Sequence, residues 1–221
     1  MTRLVLVRHG QTVWHAGNRY AGSSDIDLTE RGREQADELA EWARTAGLAA
    51  VWCSTLKRAK LTAQKSAQAA GASMHVDERL RELDFGQGEG LTGSDMERAF
   101  PDALHAFRED PVANHLPGGE DPRLAASRFV ECLADIASQH PRDRVLVVAH
   151  TTSIRLALCQ LVGIPLSEYR RLFPSIGNCA LTEIKLRGPR VALMQFNVPV
   201  GRGSFAAENP LVSTSAGPSA G

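Results

Sequence analysis

The apolar positions of this chain fall into short continuous runs that alternate with helical stripes. Leu4-Val5-Leu6-Val7 is rich in β-branched residues and reads as a buried strand. After a polar, glycine-containing loop over residues 11–27, Thr29 caps a helix whose apolar stripe is Ala36, Leu39, Ala40 and Ala43, and Gly47 stops it. Residues 49–53 predict a second strand, Ser54-Thr55 a cap, and residues 56–70 a helix ended by Gly71. A brief strand at 74–76 follows. Farther on, Ala125, Phe129, Cys132, Leu133 and Ile136 stripe a helix over 124–138 that His140-Pro141 closes. Val145-Leu146-Val147-Val148-Ala149 is another strand, with Ile154, Ala157, Leu158 and Leu161 marking the helix behind it. Residues 180–186 and 191–197, separated by Arg187-Gly188-Pro189-Arg190, predict an antiparallel hairpin at a sheet edge.

Strands that alternate with helices predict an α/β fold: a three-layer α/β/α sandwich around a mostly parallel sheet with an antiparallel edge strand. Over residues 86–122 the periodicity dissolves into glycines, prolines and isolated aromatics such as Phe100 and Phe107. That stretch reads as a small, partly helical cap insertion over the crevice. One domain over 1–199 is expected, and residues 200–221, dominated by Gly, Ala, Ser and Pro, are expected to form a mobile tail.

Composition narrows the function classes. Among 221 residues, 25 Lys and Arg balance 25 Asp and Glu, so no basic excess points to nucleic acid. Affinity for an anion must therefore come from a local cluster of cations. No apolar run approaches a membrane span, and residues 1–3 lead straight into the first strand without a signal core. Cys53, Cys132, Cys159 and Cys179 lack paired spacing and read as small buried hydrophobes of a reducing compartment. Together these predict a cytoplasmic protein without membrane or nucleic-acid partners. A homodimer through edge strands near the C-terminus is allowed but not required.

The candidate chemistry lies where strands end. Arg8-His9-Gly10 follows the first apolar run and His150 follows the run at 145–149, each leading from a strand, and ligands of open α/β sheets bind beyond the carboxyl ends of strands. Two imidazoles with several arginines suit phosphoryl transfer, because a ring nitrogen can attack phosphorus and form a phosphohistidine. Arginine forks suit the phosphoryl oxygens, and Arg8 and Arg58 are the candidates. Helix N-termini at the same strand ends would add backbone N–H groups. Glu82 follows the short third strand and could protonate a leaving oxygen. On pattern alone a solvated carboxylate paired with Arg79 or Arg81 is the commoner reading.

The ordered series Leu6-Val7-Arg8-His9-Gly10-Gln11-Thr12, Asn18-Arg19, Asp27-Leu28-Thr29, Ser54-Thr55-Leu56-Lys57-Arg58-Ala59 and Thr62-Ala63 resembles the histidine phosphatase superfamily, in its phosphoglycerate mutase-like branch. The stretch 80–91 with Glu82 and Gly86, Pro117-Gly118-Gly119-Glu120, and the stretch 147–155 fit the same order. The resemblance spans residues 4–197. It implies His9 as the phosphorylated nucleophile, Arg8 and Arg58 as phosphate-binding arginines, His150 as the second histidine contacting the phosphoryl group, and Glu82 as general acid. It also implies that no metal or other cofactor is needed.

Two positions depart from the family pattern. His15 stands after Trp14 where the family usually has Asn, and Thr151 follows the second histidine where Gly is usual. His15 is expected to donate to the phosphate, with added charge if protonated, and Thr151 to narrow the pocket or offer a hydroxyl. With Ala21 and Gly22 of the first loop, these are the candidate substrate-binding residues. His75, His105, His115 and His140 read as surface residues, with only His105 and His115 placed in the cap, and Trp14, Trp42 and Trp52 as packing aromatics.

The expected function is hydrolysis of a small-molecule phosphate ester. The segment between Glu82 and His150 lacks the consecutive basic residues with which mutases of this family grip a sugar-acid phosphate. Mutase-like phosphoryl transfer, or phospholigand binding without turnover, are the alternatives.

Overall fold

The computed structural model describes residues 1–200. A six-stranded sheet has the order β3-β2-β4-β1-β5-β6, with β1 at Thr2–Arg8, β2 at Ala50–Cys53, β3 at Ser73–Val76, β4 at Arg144–Ala149, β5 at Leu181–Arg187 and β6 at Arg190–Val198. β3, β2, β4 and β1 run parallel, whereas β5 pairs antiparallel with β1 and with β6. The expected hairpin is present. Its turn is Gly188-Pro189, where Gly188 takes a positive φ of 54°.

The alternation of β1 explains the layers. Leu4 and Leu6 join the core on one face, while Val5 and Val7 join the core on the other. Likewise Val145, Val147 and Ala149 of β4 face one core and Leu146 and Val148 the other. Helices α1 (Glu30–Thr45) and α2 (Lys57–Ala70) cover the Val5 face through Leu39, Ala59 and Ala63. Helices α5 (Pro122–Gln139) and α6 (Thr151–Val162) cover the Leu4 face. Thus β1 leads to a helix on one face and its neighbour β4 to a helix on the other. The crevice between their ends is a topological switch point.

Residues 86–122 form the expected helical insertion, with α3 (Gly93–Ala99) and α4 (Pro101–Glu109) at its centre. It is anchored rather than loose, since Met96, Leu104, Phe107, Val112 and Leu116 are buried in the same core as Leu80 and Leu83. A short α7 (Tyr169–Leu172) packs beside it through Arg170, which donates to the Phe107 carbonyl at 3.4 Å. No helix among the described residues is long and apolar enough to cross a membrane. The four cysteines are buried. The expected tail lies almost wholly outside the described residues.

One local expectation fails. Ser54-Thr55 does not cap α2: the helix begins at Lys57, its N-cap is Leu56, and the backbone N–H of Lys57 is held by Asp25 at 2.6 Å. A residue from a distant loop supplies the acceptor for Lys57, while the Ser54 hydroxyl accepts from Leu56 N at 3.3 Å, ahead of the helix.

Candidate active site

In the parallel ladder Arg8 of β1 faces Ala149 of β4, so the residues that follow, His9 and His150, emerge side by side. Their rings lie 5.1 Å apart. The His9 backbone is fixed on both sides, its N–H donating to Ala149 O at 3.1 Å and its carbonyl accepting from Asn178 Nδ2 at 2.7 Å. Nδ1 of His9 stands 2.7 Å from the carbonyl of Gly10. A carbonyl only accepts, so Nδ1 carries the proton and Nε2 the lone pair. Gly10 is itself held by its N–H on Thr62 Oγ1 at 3.1 Å, and a Cβ there would sit 2.3 Å from the Gly32 carbonyl.

Arg58, the second residue of α2, is fully buried. Its Nε–H donates to His9 Nε2 at 3.1 Å and to His150 Nδ1 at 3.3 Å. Its other nitrogens donate to Ser24 O at 2.7 Å, Gly22 O at 2.8 Å and Ala21 O at 3.3 Å. Because His150 Nδ1 accepts, its Nε2 is the protonated nitrogen, and it meets Ser54 Oγ at 2.6 Å. Burial first, then the Arg58 charge, hold the pKa of both His9 and His150 well below the ordinary value. Both rings are neutral at physiological pH, and His9 presents a lone pair.

Ala21 and Gly22 are therefore committed to Arg58 through their carbonyls. The N–H groups of the same loop turn the other way, onto Glu89, which accepts from Gly22 N at 2.8 Å, Ser23 N at 3.1 Å, Ser24 N at 3.2 Å and Ser24 Oγ at 2.7 Å. The loop is a layer between a cation and an anion. Gly22 is needed for this close approach, because a Cβ would lie 2.2 Å from the Glu89 carboxylate and 2.3 Å from the Leu83 carbonyl.

Glu82 is buried at the N-terminus of α6. Its oxygens accept from Thr152 N at 2.9 Å, from Ser153 N at 2.8 Å and from Leu83 N at 2.8 Å. The alternative pairing with Arg79 is absent, since Arg79 binds Asp77 at 2.8 Å and Asp135 at 2.7 Å. Instead Arg128, paired with Glu120 at 2.7 Å, donates to the carbonyls of Arg79, Arg81 and Glu82 and fixes the segment. Thr151 is the first residue of α6, next to His150.

Arg8 donates from Nη1 to the Ile176 carbonyl at 2.9 Å, and its Nη2 contacts Nε2 of His15. Thr12 N lies 2.9 Å from Nδ1 of the same ring. The Thr12 hydroxyl at 2.8 Å and carbonyl at 3.2 Å also face Nδ1, so with Nδ1 protonated toward them Nε2 is the nitrogen that accepts from Arg8. Burial and then the Arg8 charge push the His15 pKa down to about 4, so the condition for an added charge, protonation of the ring, is not met near neutral pH. Outside the cluster, His105 is exposed and lies 3.3 Å from Glu109. His75 stacks on Trp52 at 4.7 Å on the far edge of the sheet.

The sequence assigns Ser54 only a helix-capping role and gives no role to Thr62, Glu89, Asn178 or Arg128. Three of these letters lay inside or beside the quoted motifs, but their partners are far along the chain.

The family model for the histidine phosphatase superfamily (branch 1) matches residues 4–199. The chain is 31% identical over 210 residues to phosphoserine phosphatase 1 of Hydrogenobacter thermophilus, covering 94% of this chain and 98% of that one. It is 35% identical over 189 residues to a probable phosphoglycerate mutase GpmB of an Enterobacter species, covering 83% and 85%. Among solved structures, a mycobacterial glucosyl-3-phosphoglycerate phosphatase matches with a TM-score of 0.81 at 32% identity, covering 89% of this chain and 98% of that one. Bacillus stearothermophilus YhfR matches with a TM-score of 0.82 at 29% identity, covering 88% and 96%. By the ordered motifs, the paired histidines at the switch point and these matches over nearly its whole described length, the chain belongs to the histidine phosphatase superfamily.

Proposed function

We propose that the protein hydrolyses a small-molecule phosphate monoester through a phosphohistidine at Nε2 of His9, with Glu82 as general acid and base. The observation that carries this reading is the His9 tautomer. With Nδ1–H bound to Gly10 O at 2.7 Å, the lone pair of Nε2 points into the cluster of Arg58 and His150. The Nε–H of Arg58 lies in the direction of attack; a phosphoryl group takes its place, and that N–H turns to a phosphoryl oxygen.

Nε2 then forms the N–P bond as the bond from phosphorus to the leaving oxygen breaks, and Glu82 gives that oxygen a proton. Arg8, Arg58 and His15 donate to the equatorial oxygens. An oxyanion between Arg8 Nη2 and His15 Nε2 would accept from both once the ring takes its Nε2–H tautomer, with Nδ1 accepting from Thr12 N at 2.9 Å. His150 donates from Nδ1 once its proton shifts, and Ser54 permits the shift because a hydroxyl can either accept from or donate to Nε2. In the second half, the Glu82 carboxylate takes a proton from water, the new O–P bond forms, and the N–P electrons return to Nε2. Both steps use the same acid and base.

Relatives named as a phosphoserine phosphatase and a glucosyl-3-phosphoglycerate phosphatase support hydrolysis. The relative named as a probable phosphoglycerate mutase keeps phosphoryl transfer as the competing outcome. The test is phosphate release from 4-nitrophenyl phosphate and a panel of metabolite esters, with and without a bisphosphate activator and with His9→Ala as control. Release that needs no activator and is lost in His9→Ala supports hydrolysis. Dependence on the activator identifies a mutase, and neither release nor phosphorylation of His9 leaves a phospholigand-binding protein.

A further inference from the structure

Most charged side chains near the site have an opposite charge or several acceptors; Arg155 does not. It lies on α6 five residues after His150 and is only 9% exposed. Its polar contacts are one 3.4 Å donation from Nη2 to the Tyr169 carbonyl and a position 4.8 Å over the Tyr169 ring. Its Nε is buried without a partner, and no carboxylate among the described residues pairs with it. Arg170, 5.5 Å from the centre of the same ring, stacks on Phe107 at 4.5 Å and donates to the Tyr169 hydroxyl at 2.9 Å, again without a carboxylate among the described residues. By contrast Arg144 has Glu183, Arg128 has Glu120, and Arg79 has Asp77.

Building on the phosphoryl-site reading above, we propose that Arg155 and Arg170 form a second anion subsite, which takes a carboxylate or a second phosphate on the leaving part of the substrate.

Position supports this. Glu82, the group that must reach the leaving oxygen, is held by the N–H groups of Thr152 and Ser153, and Arg155 lies two residues farther along that helix. From Glu82 an aromatic wall runs toward Arg170: Phe85 meets Tyr20 at 5.1 Å, and Tyr20 meets Phe107 at 6.2 Å. A leaving group extending from Glu82 past Tyr20 would run toward the two guanidinium groups beside Tyr169. A guanidinium stacked on a ring keeps its N–H edge free for in-plane acceptors, and two such edges suit the fork of a carboxylate or phosphate. A buried cation without an ion pair is costly, and a ligand anion in a poorly solvated site would offset that cost. Burial draws the Arg155 pKa below its ordinary value and the Arg170 charge adds to the fall, with Tyr169 and the more distant Glu82 opposing it only in part.

The test compares binding within matched pairs by calorimetry on His9→Ala protein, which removes turnover from the measurement. O-phosphoserine is set against O-phosphoethanolamine, which lacks only the carboxylate, and the bisphosphate of 1,3-propanediol against its monophosphate. The expected result is about tenfold or greater preference for one doubly anionic partner, corresponding to about 1.4 kcal/mol. That preference should fall to within about twofold when Arg155→Met is added, and be partly kept in Arg155→Lys. Arg170→Gln, at a half-exposed position, gives a second reading should Arg155→Met fold poorly. No preference in either pair, or a preference untouched by both substitutions, overturns the subsite. Which pair discriminates says whether the group is a carboxylate or a phosphate. Release of phosphate from 4-nitrophenyl phosphate by the unmodified chain tests the phosphatase reading separately: preference without release upholds the subsite and refutes the phosphatase, and release without preference does the reverse.

Discussion

The Nε–H of Arg58 points at the lone pair of His9 Nε2 from 3.1 Å, so the proposed nucleophile and a proposed phosphate-binding cation are joined directly. That contact orders the ring and, after burial, helps to keep it neutral. The rest of the cluster serves that geometry. Gly10 fixes the tautomer, Thr62 ties Gly10 to α2 by also donating to the Arg58 carbonyl at 2.8 Å, and the loop at 21–24 clasps the remaining guanidinium nitrogens.

Arg58→Lys should therefore lose more than one hydrogen bond. A lysine is a single point donor and cannot span His9, His150 and three carbonyls together. Activity is expected to fall by about a hundredfold to a thousandfold, as for removal of a preorganised oxyanion donor. Steady-state kinetics check this, and a fall of less than tenfold would mean that the fork is not needed.

Glu82→Gln should slow alkyl phosphates far more than aryl phosphates with good leaving groups, which need little protonation. The measurement is kcat/KM across a series of leaving groups. Equal losses across the series would exclude Glu82 as the acid.

Fold stability should fall in mild acid. His9, His15 and His150 all have folded pKa values below that of the unfolded chain, so between the two values the unfolded state binds more protons and stability rises with pH. The contribution is fully present above about pH 6.5 and is lost as pH falls toward the folded values. For His15, with a folded value of about 4, the loss between pH 7 and pH 5 is about 2 kcal/mol, or ~4 to 8 °C in melting temperature. His15→Asn should flatten the melting curve against pH over that range. An unchanged slope would show that His15 does not titrate this way.

Glu89→Gln should disturb Arg58 from a distance. An amide cannot accept from all of Gly22, Ser23 and Ser24, since one of its two heads is a donor. A cost of about 1 to 3 kcal/mol in stability is expected, with roughly tenfold weaker inhibition by vanadate as the loop releases the guanidinium. Wild-type vanadate affinity in this variant would show that the loop holds its shape without the carboxylate.

Much of the framework was legible because it depends on local pattern. The runs at 4–7 and 145–149 are buried on both faces, and their lack of alternation marks central parallel strands. His9 and His150 followed from their place at the ends of those runs, and their side-by-side register follows from the parallel pairing of Arg8 with Ala149. What escaped was action at a distance. Ser54 reads as a helix cap by its letter, yet Asp25 takes the Lys57 N–H and Ser54 turns to His150. Glu89 lies among glycines in the sequence, and only the fold reveals the four backbone N–H groups it collects. His15 was read by analogy as a donor that could carry charge, whereas burial beside Arg8 makes it neutral.

The most direct measurement is the site and lifetime of the phosphoryl group. The protein, mixed with a rapidly hydrolysed aryl phosphate and quenched in alkali, which preserves the N–P bond, is digested and mapped by mass spectrometry. The account predicts one phosphoryl group on His9, accumulating within the first turnover, decaying at the rate of phosphate release, and persisting longer in Glu82→Gln. Steady release of phosphate with no phosphoryl group on His9 at any time would contradict it.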